Sequence, residues 1–413
     1  MKDLDKHIVA ARAAMERQFA EFTEVAAANT IRAVEAMRAE RLAYEHFAPT
    51  SGYAYHDTGR DKLEACVARI FGTEAALMRQ QIVSGSHAIS LALHGNLLPN
   101  DELVCLGLPY DTLQTVIGLK GTVPGSLAEL GITCRILEVD FAKPDTKAIV
   151  HALSPQSKML CIQRSRGYSW RKSLHIAQIE SITRAVKQAR PDIIVFVDNC
   201  YGEMVEPLEP SHVGADLIAG SLIKNLGAGI TPGGGYVAGR EELVERAAYK
   251  LTVAGAGREV GASLLSNRLY FQALFMAPGI VAEALAGAVF AAHLLSSLGI
   301  AVSPEPQEPR TDIIQCARMP GKTSLIAFCQ GIQRYSPVES FAIPLPWPMP
   351  GYDNDIIMAS GGFIQGSSIE LSADAPLREP YLLFMQGGLS RHHTAWAVEQ
   401  TVRDITENNG IVD

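Results

Sequence analysis

Three short stretches of this chain are apolar without interruption: Leu103-Val104-Cys105-Leu106, Met159-Leu160-Cys161-Ile162 and Ile193-Ile194-Val195-Phe196-Val197. A strand with one wet face alternates polar and apolar residues, so unbroken runs suit strands buried on both faces, as in a parallel sheet. Parallel neighbours need crossover connections, and residues 176–189, between the second and third runs, read as a crossover helix. An α/β fold with a mostly parallel central sheet and flanking helices is therefore expected.

The flanks read differently. Residues 1–47 are expected to be helical, with Asn29-Thr30 as a cap before Ile31, Val34 and Met37. A loop at Ser51-Gly52-Tyr53-Ala54-Tyr55 precedes a helix over about residues 60–71, closed by Gly72. Past about residue 285 a long apolar helix leads to the proline-rich Ser303-Pro304-Glu305-Pro306-Gln307-Glu308-Pro309, then strand-like pieces and a second proline-rich loop over 344–350. The division expected is an N-terminal helical arm (1–48), a large domain (49–284) and a smaller α+β C-terminal domain (285–413).

With 413 residues and a formal net charge of -8, and with no Lys/Arg run, the chain offers nothing to nucleic acid or to an anionic membrane. Its seven cysteines form no C-x-x-C pair and lie mostly in apolar runs, which reads as reduced buried thiols and no zinc site. Residues 284–302 are apolar for about the length of a membrane span. They are rich in Ala and Gly and contain His293, Ser296 and Ser297, so a packed internal helix is expected. The location expected is cytoplasmic.

The chemistry centres on a lysine. A short apolar strand runs into Ser221-Leu222-Ile223-Lys224, and glycines follow at 227, 229 and 233–235. A lysine shielded there is expected to lose part of its solvation, which disfavours the ammonium and leaves a nucleophilic amine. Alone it would read as a surface residue. The third apolar run ends in Asp198, at the carboxyl end of a strand, where α/β sheets place their ligands. A carboxylate there, one strand before a Ser-x-x-Lys, is what pyridoxal 5'-phosphate (PLP) needs: an anion beside its pyridine nitrogen and an amine for its aldehyde. Ser84-Gly85-Ser86-His87 opens a helical stretch, and a helix amino terminus with a glycine suits a phosphate, although the same pattern serves as a plain cap. Ser221 could add a hydroxyl. Tyr110, just past the strand at 103, could stack on a ring, while Tyr53, Tyr55 and Arg60 cluster in the loop after the N-terminal helices.

Taken together, and in this order, the segments Arg60-Asp61-Lys62-Leu63-Glu64, Val83-Ser84-Gly85-Ser86-His87-Ala88, Pro109-Tyr110-Asp111-Thr112-Leu113, Gln163-Arg164-Ser165-Arg166-Gly167-Tyr168, Val197-Asp198-Asn199, Ser221-Leu222-Ile223-Lys224 and Phe363-Ile364-Gln365-Gly366-Ser367-Ser368-Ile369-Glu370 resemble fold type I PLP-dependent enzymes, the aspartate aminotransferase superfamily. Within it they are most similar to the Cys/Met-metabolism branch and its methionine γ-lyase-like group, often called aluminium resistance proteins. The resemblance implies that Lys224 carries the cofactor as a Schiff base, that Asp198 pairs with the pyridinium, and that Ser84, Gly85, Ser86 and Ser221 hold the phosphate. It implies that Tyr110 stacks on the ring, and that Tyr53 or Tyr55 reaches the phosphate of an adjacent subunit in a homodimer or homotetramer with sites at the dimer interface. Three departures stand out: Ile223 where the lyases usually carry Thr, Tyr53-Ala54-Tyr55 in place of Tyr-x-Arg, and no cleanly placed C-terminal arginine. Arg378, with Arg164 and Arg166 as competitors, is the candidate for gripping a substrate carboxylate.

The activity implied is a carbon–sulfur lyase acting on a sulfur-containing amino acid by α,β- or α,γ-elimination. An aminotransferase, racemase or γ-replacement synthase would use the same motifs. A catalytically silent PLP-fold protein with a binding or metal-stress role is the rival of another class. A Rossmann enzyme is remote, because Gly233-Gly234-Gly235 makes no G-x-G-x-x-G.

Overall fold

The computed structural model describes residues 2–407 except 52, 54, 122, 350 and 351. Parts of two sequence-predicted loops, Gly52 and Ala54 in the first and Pro350 in the second, thus lie outside the described residues. The first sheet holds β1 (Ala75–Arg79), β2 (Glu102–Leu106), β3 (Thr133–Leu137), β4 (Ser157–Gln163), β5 (Ile194–Asp198), β6 (Leu217–Ser221) and β7 (Gly235–Gly239), in the order β1-β7-β6-β5-β4-β2-β3. Strand β7 is antiparallel to β1 and β6, and the other pairs are parallel. The three apolar runs are the buried centres of β2, β4 and β5, as their lack of alternation requires.

The helices are α1 (Lys2–Ala39), α2 (Thr58–Phe71), α3 (Gly85–Asn96), α4 (Asp111–Ile117), α5 (Thr146–His151), α6 (Ile176–Ala189), α7 (Glu241–Leu251), α8 (Arg268–Ser297), α9 (Lys322–Arg334) and α10 (Arg391–Glu407). One face of the sheet packs on α3 and α7 through Ile89, Leu93 and Val244. The other packs on α2, α6 and α8 through Phe71, Ile179 and Leu274. Each such side chain removed from water contributes about 1.5–3 kcal/mol. A second, wholly antiparallel sheet in the order β10-β11-β12-β9-β8 comprises β8 (Val302–Ser303), β9 (Ile314–Arg318), β10 (Ile356–Ser360), β11 (Ser372–Pro376) and β12 (Leu382–Gln386). It shares a core with α1, α8, α9 and α10.

Two expectations need correcting. Asn29 does not cap a helix: α1 runs through it, and its amide donates to the carbonyls of Met204 (2.9 Å) and Glu206 (3.3 Å). A distant loop, invisible locally, recruits the side chain that a cap would have used. The apolar helix also does not begin at about residue 285; α8 starts at Arg268 and continues through Pro278. Helix α8 is long and apolar enough to cross a membrane, yet 72% of its most apolar window is buried, and its side chains are shared between two protein cores. The domain boundary drawn after residue 284 falls inside this helix. By contrast, α2 is closed by Gly72 at φ 62, and a Cβ there would also lie 2.8 Å from His212.

Candidate active site

Parallel strands deliver their carboxyl ends to one edge of the sheet. Gln163 ends β4 and pairs with Asp198 at the end of β5, while Ser221 ends β6 beside it. These ends open on a cavity of about 250 Å³ lined by Ser84, Gly85, Ser86, Tyr110, Asp198, Ser221 and Lys224 among others. The structure therefore brings together seven of the residues singled out in the sequence.

At one end lies the amino terminus of α3. Ser84 Oγ caps it by accepting the amide of His87 (3.1 Å), and Ser86 Oγ and the Tyr110 hydroxyl share a hydrogen bond of 2.8 Å. Gly85 is dictated by proximity, since a Cβ there would stand 2.9 Å from Ser221 Cβ and 3.3 Å from Cys200 Sγ. Helix α3 and the end of β6 thus pinch a small space that offers free helix amides and two serine hydroxyls, a donor set for an oxyanion.

At the other end, Asp198 is buried, and its Oδ1 accepts the Cys200 amide (3.1 Å). Burial pushes its carboxyl up, against the opposing pull of Lys224. A cation placed beside it would relieve that cost. Half-buried Lys224 stands with Nζ 3.9 Å from the centre of the Tyr201 ring. Its ammonium does not lose its proton as the sequence suggested. Burial works to lower its pKa, but Tyr201, Cys200 and Asp198 outweigh burial and the net direction is up. Burial pushes the Tyr201 hydroxyl and the Cys200 thiol up in their turn.

Other expected participants stand elsewhere. Tyr53 and Tyr55 stack on each other (5.2 Å) and are 72% and 58% exposed, outside the cavity. Arg378 sits on the exposed turn between β11 and β12. Arg164 is buried and committed: it donates to Asn199 Oδ1 (2.8 Å), the Gly202 carbonyl (2.9 Å) and Glu206 Oε2 (2.8 Å), with Glu209 at 3.6 Å. Among the described residues no arginine lines the cavity. Arg378 and Arg164, expected to grip a substrate carboxylate, thus stand outside this cavity, the first exposed and the second held by carboxylates.

Sequence reasoning missed Tyr201, Cys200, Tyr352 and Gln386, which also line the cavity. Tyr201 carried a faint signal, being an aromatic three residues past a strand-terminal Asp, and it adopts φ 71, uncommon for a residue with a side chain. Gln386 arrives from the second sheet, and its Nε2 is buried against Tyr201 and otherwise unpartnered. Below the cavity, Glu203 accepts the Tyr236 hydroxyl (2.9 Å), and burial raises its pKa to about 8.

Comparison with known proteins matches residues 4–406 to the methionine gamma-lyase family. The Bacillus subtilis protein YnbB is 46% identical over 387 residues, covering 93% of this chain and 92% of that one. A carbon-sulfur lyase involved in aluminum resistance from Clostridium novyi superposes with a TM-score of 0.93 at 44% identity, over 98% of this chain and 96% of its own. A Bacillus cereus protein gives 0.92 at 46%, over 96% and 98%. The PLP-dependent protein YhfS of Escherichia coli, at 16% identity and a TM-score of 0.62, shares the fold.

Proposed function

Because the chain belongs to the methionine gamma-lyase family, whose members use PLP, we propose that it is a PLP-dependent lyase cleaving a carbon–sulfur bond of a sulfur-containing amino acid by α,β- or α,γ-elimination. What carries this reading is the meeting of Lys224 and Asp198 in a cavity whose far end is the amino terminus of α3. The residues fit the cofactor. The Gly85 pinch, which a single Cβ would fill, with Ser84, Ser86 and Ser221 suits the phosphate, and Asp198 suits a protonated pyridine nitrogen. Tyr110 suits the ring face, and Lys224 suits the aldehyde. When bound, PLP supplies an electron sink that stabilises negative charge at the α-carbon of an amino acid.

The chain's own residues then divide the remaining work. Asp198, buried at the strand end, keeps positive charge on the heterocycle. Lys224 Nζ, an ammonium before the cofactor binds, would act as the neutral amine once it has yielded its place on the cofactor to the substrate, and would take the proton from the α-carbon. The carbon–sulfur bond breaks with its electron pair on sulfur, and the hydroxyl of Tyr110 or Tyr201 returns a proton to give a thiol. Water then converts the unsaturated amine to a 2-oxo acid and ammonia. With no arginine at the wall, Gln386 Nε2 and Ser165 are the donors placed for the substrate carboxylate.

Self-association belongs to the same proposal. Tyr53, Tyr55, Phe341, Trp347 and Phe363 are strongly exposed apolar side chains, and a homodimer or homotetramer would cover such surface and let Tyr55 or Tyr53 approach a neighbour's phosphate. The activity is tested by incubating purified protein with cysteine, cystathionine and methionine while assaying thiol, ammonia and 2-oxo acid together. Equimolar release of all three supports the lyase. Amino-group transfer dependent on an added 2-oxo acid, without thiol, would replace it with an aminotransferase.

A further inference from the structure

The loop that follows β4 has two faces. Gln163, Ser165, Gly167 and Tyr168 line the active-site cavity, while Arg166, Lys172 and Ser173 line a second cavity, also of about 250 Å³, on the opposite side. Asp312 and Thr311, from the turn before β9, close that second cavity, and Lys172 and Ala142 stand at its exposed mouth.

Arg166 is 2% exposed, yet among the described residues its guanidinium Nε and Nη1 have no hydrogen-bond partner and it makes no ion pair. It interacts with the thiol of Cys316, and its charge helps to lower the pKa of Glu308 at the cavity wall. Its neighbours do not help. Arg310 is 6% exposed, bonds Gln315 through Nη2 (2.6 Å), and leaves Nε and Nη1 unpartnered. Arg171 spends its guanidinium on the carbonyls of Lys172 and Gln163 (both 2.9 Å) and Ser165, and stacks on Phe141 at 4.0 Å.

The local carboxylates are occupied elsewhere. Asp312 accepts from Ser173 Oγ and from the Ile314 amide (3.0 Å), while Glu308 accepts from Lys172 Nζ and the Glu305 amide (3.0 Å). His175 faces Glu206, 3.7 Å away, which also binds Arg164. Three arginines therefore converge with no carboxylate bonded to them among the described residues, and Asp312 and Glu308 offset their charge only from beyond ion-pair distance. Buried guanidinium donors left without acceptors are costly.

We propose that this second cavity is a binding site for a small oxyanion, a carboxylate or phosphoryl group, with buried Arg166 as its anchor and Lys172 at its mouth. The ligand supplies the acceptor atoms that the Arg166 guanidinium lacks. This site is independent of the active-site reading, and it gives Arg166 a role other than gripping the substrate.

The test is equilibrium dialysis of the holoenzyme against radiolabelled inorganic phosphate and, in a parallel arm, malonate. One saturable site per chain is expected for at least one probe. Its Kd should rise at least tenfold in Arg166→Met and several-fold in Lys172→Met, and should be unchanged in Arg378→Ala, which alters an exposed arginine outside both cavities. Saturation by one probe alone supports the site and tells which oxyanion it takes. Lys172, at the mouth with its side chain 40% exposed, keeps the test decisive if Arg166→Met does not fold. Absence of saturable binding by either probe overturns the proposal. So does equal binding by wild type and Lys172→Met.

Discussion

Replacing Gly85 by alanine tests the pinch between α3 and β6 without touching any group that does chemistry. The added Cβ would lie 2.9 Å from Ser221 Cβ, about 0.6 Å inside the ~3.5 Å at which two carbons rest. A second contact, 3.3 Å to Cys200 Sγ, closes the obvious direction of escape. Relief must therefore come from the start of α3 moving away from the end of β6, and overpacking of this kind costs about 1–3 kcal/mol. The same movement spreads the helix amides from the Ser221 hydroxyl, so PLP affinity should fall about tenfold, corresponding to ~1.4 kcal/mol. Urea denaturation of the apoprotein reads the first effect, and titration of apoprotein with PLP reads the second. Gly233→Ala is the control, because nothing lies within 4 Å of a Cβ there. If Gly85→Ala matched the control in midpoint and held PLP within twofold of wild type, the close approach of α3 to β6 would not matter to the site.

Further outcomes follow from other buried groups. Arg164→Met should cost about 3–5 kcal/mol in denaturant, because it strands Glu206 and Glu209, whereas Arg378→Ala should leave both stability and KM unchanged. A wild-type-like Arg164→Met with a raised KM would return that residue to substrate binding. Glu203, held near a pKa of about 8 against an ordinary 4.5, keeps its proton in the folded chain where the unfolded chain has released it. Its contribution to stability therefore falls by up to about 1.4 kcal/mol per pH unit as pH rises from about 4.5 to about 8. Glu203→Gln should remove that slope in urea titrations at a series of pH values, and an unchanged slope would reject the assignment. Glu102 is held at about 2, chiefly by its hydrogen bond from Arg135, so its contribution is present above about pH 4.5 and lost as pH falls through about 2. Arg135→Met should accordingly cost about 0.5–1 kcal/mol at neutral pH and progressively less as pH falls towards about 2.

What the sequence made legible was whatever depends on neighbours along the chain. Helix α6 runs from Ile176 to Ala189 as expected, because its apolar face, Ile176, Ile179, Ile182 and Val186, repeats at helical spacing. The strand ends that carry Asp198 and Ser221 were visible because a doubly buried strand has to be apolar throughout. The rest was set by distant partners. Arg164 and Arg166 sit two residues apart in one loop and look alike, yet one meets Glu206 and Glu209 while the other faces an apolar thiol and a cavity. Gln386 reaches the active site from the end of β12 and Tyr352 from the loop before β10, through packing that no local period reports. The Lys224 shift runs opposite to the sequence expectation for the same reason: burial is visible in the sequence, whereas the opposing groups, Tyr201 first and then Cys200 and Asp198, come from the end of β5 and the loop after it, which pairing with β6 brings to Lys224.

The most direct measurement is borohydride reduction of the purified protein, followed by mass spectrometry of its peptides. The account predicts one pyridoxyl phosphate adduct per chain on the peptide containing Lys224, absent from Lys224→Ala. An adduct on another lysine, or a reducible cofactor retained by Lys224→Ala, would contradict it.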